Sequence, residues 1–155
     1  MANVRVTVGG VGQKIMSREP GTRVGLQVNT FGIDRIRDGL TGEALVPILT
    51  EAIQPAFLQL LAEWPVITGA SRDSADVETT EIGAKYARVA LQIGGQKLIE
   101  DPRNIKHIDY APYVEFNGTS KTPAGTLTHA MVANQDEMRD YIHDRVSELL
   151  RRLTQ

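Results

Sequence analysis

The chain contains no cysteine. This removes disulfides and thiolate-held metals from the ways it can be stabilised, and suits a reducing cytoplasm or an extracellular particle equally well. Nor does either sign of charge dominate. Seventeen basic side chains face 19 acidic ones, for a formal net charge of -2, so there is no basic footprint for gripping phosphates and sequence-specific nucleic-acid binding is not expected. The opening Met1-Ala2-Asn3-Val4-Arg5 lacks the apolar stretch of a signal peptide, and no later run reads as the roughly 20 apolar residues of a bilayer span, so a soluble protein is expected. The 155 residues are enough for one sizeable core and seldom for two.

Hydrophobic periodicity supplies the organisation. Val4, Val6 and Val8 alternate with Arg5 and Thr7 before Gly9-Gly10-Val11-Gly12 interrupts, which predicts a short strand and a turn. The stretch to Pro20-Gly21 has no clear period. Residues 1–21 are therefore read as an N-terminal arm, flexible or ordered only against a neighbouring subunit, ahead of a single domain over 22–155. Val24, Leu26 and Val28 predict a second strand. From Leu45 to Trp64, apolar residues recur every three or four positions, as in a helix with Thr41 as N-cap and Pro65 as terminator; Pro47 and Pro55 fall on its solvent face, so either a kink near Pro55 or a start close to Val46 is expected. Val77–Ile82 and Tyr86–Ile93 read as strands, with Gly94-Gly95 turning a hairpin into Gln96–Ile99. Tyr113–Phe116 reads as a last strand. Asn134, with Glu137 three residues on, reads as the capping box of a final helix carrying Met138, Tyr141, Ile142, Val146, Leu149, Leu150 and Leu153. The expected fold class is α+β: a mainly antiparallel sheet with the long helix and the C-terminal helix packed on one face.

Most candidate chemistry has a plainer structural reading. His107, His129 and His143 lack the spacing of a zinc-protease motif. Asp136, Glu137, Asp140, Asp144 and Glu148 read as the solvated side of the last helix, with Arg139, Arg145, Arg151 and Arg152 as ion-pair partners. Gly9-Gly10-Val11-Gly12-Gln13-Lys14 lacks both the spacing and the hydroxyl residue of a phosphate loop. Ser71 and Ser74 read as capping or turn residues, and Asn117-Gly118-Thr119 as a hairpin turn rather than a glycosylation site. On a strand whose Val114 and Phe116 face the core, Glu115 points away, either as an intersubunit ion-pair partner or as a solvated edge charge.

Two stretches go further. Pro65, Thr68, Gly69 and Ser74 follow the long helix. Tyr110, Ala111, Tyr113, Val114, Glu115, Phe116, Gly118 and Thr119 precede the last one. Together they resemble a Pro-x-x-Thr-Gly-x-x-x-x-Ser connection and a Tyr-Ala-x-Tyr-Val-Glu-Phe-Gly-Thr element of the tail-completion, or neck, proteins of long-tailed double-stranded-DNA bacteriophages. The likeness covers roughly Pro65 to Leu153. It departs where Asn117 is inserted before Gly118, and where Gly125-Thr126-Leu127 stands in place of a proline followed by an aromatic.

The resemblance implies a non-enzymatic, cofactor-free virion protein, made in the host cytoplasm and placed at the head-to-tail junction. It would form a homo-oligomeric ring against connector or stopper, tail-terminator or tail-tube proteins, with DNA passing through and no membrane involved. Its candidate interface residues are Glu115, Asn117, Gly118 and Thr119, with Val4, Arg5 and Val6 from the arm. The alternatives are a tail-terminator ring and, from another class, a small metal-dependent hydrolase or nuclease using residues such as Asp136 and Asp140.

Overall fold

The computed structural model describes residues 3–8, 22–29, 39–66 and 68–153, the first two segments as backbone only. The glycine cluster at 9–14 and the rest of the arm to Gly21 lie outside the described residues. The fold is α+β. Four strands, β1 (Asn3–Val8), β2 (Thr22–Asn29), β3 (Asp76–Ile82) and β4 (Tyr86–Ile93), form one sheet in the order β1-β2-β4-β3. Every neighbouring pair is antiparallel. The strand read at Val4, Val6 and Val8 is thus β1, an edge strand held in register from Asn3 opposite Asn29 to Val8 opposite Val24. This corrects the division at residue 21, because the sheet takes the first part of the arm into the domain.

The sheet is covered through its central strand. Ala87, Val89, Leu91 and Ile93 of β4 are fully buried; of the alternate row Tyr86, Arg88 and Gln92 are half-buried and Ala90, at 3%, is buried as well. Against the buried row lies α1 (Gly42–Ala52), with Leu45 and Leu49 at 0% exposure. Next comes α2 (Gln54–Glu63). The two are one apolar pattern interrupted at Ile53, because Pro55 has no N–H to offer the Glu51 carbonyl. Of the two expectations, the break near Pro55 is present and the start close to Val46 is not: α1 begins at Gly42 with Pro47 inside it, and Thr41 caps it by accepting from the Ala44 N–H at 3.2 Å. Contrary to the expectation that no run reaches bilayer length, Gly42–Glu63 taken as one span is long and apolar enough to cross a membrane by length and composition. Here its buried residues belong to the core shared with β4.

Helix α7 (Gln135–Leu153) packs on α1 and buries Met138, Ile142 and Val146, one residue per turn. Its start differs from the capping box. The Asn134 side-chain amide donates instead to the Ala130 carbonyl and to Gln59 of α2. Between β4 and α7 the chain is helical where strands were expected. Gln96–Ile99 forms a single turn, α4, instead of a hairpin strand, and Tyr113–Phe116 lies inside α5 (Ala111–Asn117). A further helix, α6 (Thr126–Ala133), had no counterpart in the reading of the sequence. One more short turn, α3 (Ala70–Asp73), precedes β3.

Candidate interface site

The quoted motifs meet around the end of β4. Trp64, 2% exposed, donates its indole N–H to the Ser71 hydroxyl at 2.8 Å, and the Ser74 hydroxyl donates to the Ser71 carbonyl. Ser74 Oγ then accepts the Gly94 N–H at 2.8 Å, and the next N–H, of Gly95, goes to Asp109 Oδ2 at 2.9 Å. Asp109 Oδ1 accepts from the N–H of Ala111, the first residue of α5, at 3.2 Å. Gly94 (φ 88°) and Gly95 (φ 77°) are both left-handed. A Cβ at Gly94 would stand 2.4 Å from Asp109 Oδ1, so glycine is required there both by dihedral and by close approach. Two serines, two glycines and one aspartate thereby tie Pro65–Ser74 to Tyr110–Thr119. Burial pushes the Asp109 carboxyl above the ordinary carboxylate range, while the N–H groups of Gly95 and Ala111 pull the other way.

A second brace runs alongside. Arg103 donates to Asp101 at 2.7 Å and to Asp73 at 2.9 Å, joining the 101–104 turn to α3. Asn104, 5% exposed, donates to the carbonyls of Leu98 and Ile108 and holds the turn from within.

Glu115 is where the structure departs furthest from expectation. It is 3% exposed. Its carboxylate accepts from the Leu127 N–H at 2.8 Å and from the Thr128 N–H and hydroxyl at 3.0 and 2.9 Å. These are free donors at the start of α6, where the helix dipole favours an anion. The reading of Glu115 as an outward edge charge is overturned: once Tyr113–Phe116 is a helix, positions 111, 114 and 115 share the buried face and 113 and 116 the exposed one.

Asn117-Gly118 is correspondingly a helix terminus rather than a hairpin turn. Asn117, exposed, donates to the Tyr113 carbonyl, and Gly118 follows at φ 67°. A Cβ at Gly118 would come within 2.7 Å of the Ala124 nitrogen and the Thr122 carbonyl oxygen. Thr119 closes the loop, donating its N–H to the Thr122 carbonyl and accepting from the Thr122 N–H. Glu115, Asn117, Gly118 and Thr119 are thus gathered at one α5–α6 joint. Val4, Arg5 and Val6 sit on a different element, the β1 edge. Left outward on α5 are Tyr113, 67% exposed, and Phe116, 39% exposed.

The remaining candidates fall where the plainer reading put them. Asp136 pairs with Arg139 at 3.1 Å, Glu148 pairs with Arg145 at 3.1 Å and with Arg152, and Arg145 also approaches Glu51 of α1. His107, His129 and His143 are exposed. Among the described residues, no three His, Asp or Glu side chains are grouped to hold a metal ion. A 470 Å³ groove between α2 and the start of α6 is lined by Glu63, Lys121 and His129, among others, and neither Asp136 nor Asp140 reaches it. Compared with protein-family models, curated proteins and solved structures, the chain matches none.

Proposed function

We propose that this chain is a structural protein of a phage neck, a non-enzymatic subunit of a ring that completes the tail and joins it to the head. The observation that carries the reading is the Tyr110–Thr119 run. Its residues divide into a buried set, Ala111, Val114, Glu115 and Gly118, which builds a joint, and an exposed aromatic pair, Tyr113 and Phe116, left for a neighbour. Exposed aromatics on a rigidly held helix are good material for an interface, since they bring large contact area at small entropic cost.

Closed rings use heterologous contacts, in which one surface of each copy fits a different surface of the next. A chain of nearly balanced charge suits a channel that DNA must pass through without sticking.

The test is electron microscopy of lysates from a phage lacking this gene. Filled or leaking heads beside separate tails are expected. Normal joined virions would refute a head-to-tail role, and abnormally long tails would move the assignment to a tail terminator. Tyr113→Asp, which alters an exposed position and leaves the buried joint alone, should reproduce part of the defect in folded protein.

A further inference from the structure

We propose that the two open edges of the sheet are the two halves of one interface: β3 of one copy pairs with β1 of the next, so that the antiparallel sheet continues from subunit to subunit. This rests on the ring reading above and gives it a specific contact.

The first argument is direction. In the order β1-β2-β4-β3, with every pair antiparallel, the two edge strands run opposite ways. A second copy placed beside the first by a small rotation therefore sets its β1 antiparallel to the first copy's β3, the arrangement every internal pair already has. Strand β1 has six residues and β3 seven, of which Asp76–Thr79 precede the irregularity in its pairing with β4. Among the described residues no strand pairs with the outer side of either, and an open edge is a template for backbone hydrogen bonding.

The second argument is charge. Strand β3 carries Asp76, Glu78 and Glu81 and no base, whereas β1 carries Arg5 and no acid; Glu81 is paired within its own chain with Arg88 of β4 at 3.4 Å, which leaves the charge contrast to the Asp76–Thr79 half of β3. Two-fold pairing of β3 with its own copy would set an acidic strand against an acidic strand, and pairing of β1 with its own copy would set Arg5 against Arg5. Like charges across a strand pair are destabilising. Only the β3-to-β1 pairing brings opposite signs together, and that pairing is heterologous, as ring closure requires. The irregularity between Thr79 and Glu81 bends the far half of β3, which confines the regular ladder to Asp76–Thr79.

The experiment is sedimentation velocity on the purified full-length chain at low ionic strength. Wild type should assemble as concentration rises. Arg5→Glu, and separately Asp76→Lys with Glu78→Lys, should each weaken assembly about tenfold or more. An equimolar mixture should recover wild-type assembly, since the reversed β1 of one variant meets the reversed β3 of the other while the unaltered edges still match. Recovery also shows that the variants are folded.

Three results would overturn the proposal: a wild type that stays monomeric to about 1 mM, assembly indifferent to Arg5→Glu, or a mixture no better than its components. A ring indifferent to both reversals would leave the ring reading standing and remove the edge assignment. Joined virions from the deletion lysate would remove the neck reading and leave an edge pairing measured in solution intact.

Discussion

Replacing Glu115 by glutamine keeps the shape of the α5–α6 joint and changes only what it can accept. The carboxylate takes three hydrogen bonds, from the Leu127 N–H, the Thr128 N–H and the Thr128 hydroxyl. Hydrogen bonds to a charged group contribute about 1.5–3 kcal/mol each, and a buried donor left without a partner costs about 1–3 kcal/mol. Glutamine retains one acceptor oxygen and turns its NH₂ toward a donor of α6, so a net loss of about 2–3 kcal/mol is expected. For a chain of this size that lowers Tm by roughly 5–10 °C. Trp64, the only tryptophan and 2% exposed, reports unfolding by its emission. With a urea slope near 2 kcal/mol per molar, the midpoint should fall by about 1 M. Glu115→Lys should go further and leave no stable fold, because it would bury an ammonium against the N–H groups of a helix start. A glutamine midpoint within about 0.2 M of wild type, or a lysine variant with wild-type Tm, would refute the joint as described.

Four further outcomes are expected. A Cβ at Gly42 would stand 2.0 Å from the Gly83 carbonyl oxygen and 2.3 Å from that of Tyr86, both backbone, so Gly42→Ala should destabilise by about 2 kcal/mol despite alanine's better helix propensity. A Tm at or above wild type would contradict that close approach. Leu49→Asp or Leu91→Asp, each at a fully buried position, should abolish native circular dichroism by burying an unpaired charge. Deleting residues 2–21 removes β1 and uncovers the β2 edge, so Tm should fall by more than about 5 °C, and an unchanged Tm would return β1 to the role of a detachable arm.

Hydrogen bonds from the Arg103 guanidinium, then its backbone N–H, hold Asp101 at about 2 against an ordinary 3.8. Its stabilisation is therefore present above pH 3.8 and lost as pH falls toward 2. Asp109, raised chiefly by burial, runs the other way: its contribution is present below 3.8 and lost as pH rises through its folded value. Carboxyl carbon titration by NMR should find the two on opposite sides of 3.8.

The parts of the fold that sequence reasoning recovered are those governed by long, uniform periods. The apolar residues from Leu45 to Trp64 repeat over more than five helical turns; the break falls at Pro55, which lacks an N–H, although Pro47, lacking one too, stays inside α1. Tyr86–Ile93 alternates in burial at every position but Ala90. Short windows were harder. Tyr113–Phe116 is β-branched and aromatic over only four residues, too few for a period to declare itself, and local propensity pointed to a strand while the core required a helix with Ala111, Val114 and Glu115 inward. Asn134 has the right neighbours for a capping box, but Gln59, 75 positions away in sequence, competes for its amide.

The candidate site divides the same way. Gly94-Gly95 and Asn117-Gly118 were visible as places where the chain turns, because glycine marks backbone that other residues avoid. That Ser74 and Asp109 take the two N–H groups of that glycine pair depends on residues 20 and 14 positions apart. The sequence by itself determined an α+β fold, its main helical stripe, its central strands and a nearly balanced charge, since composition and period act locally. Only tertiary structure decided that Glu115 turns inward. A carboxylate takes the side of its helix that offers unmatched N–H groups, and those belong to α6, a helix twelve residues further along that no local pattern had announced.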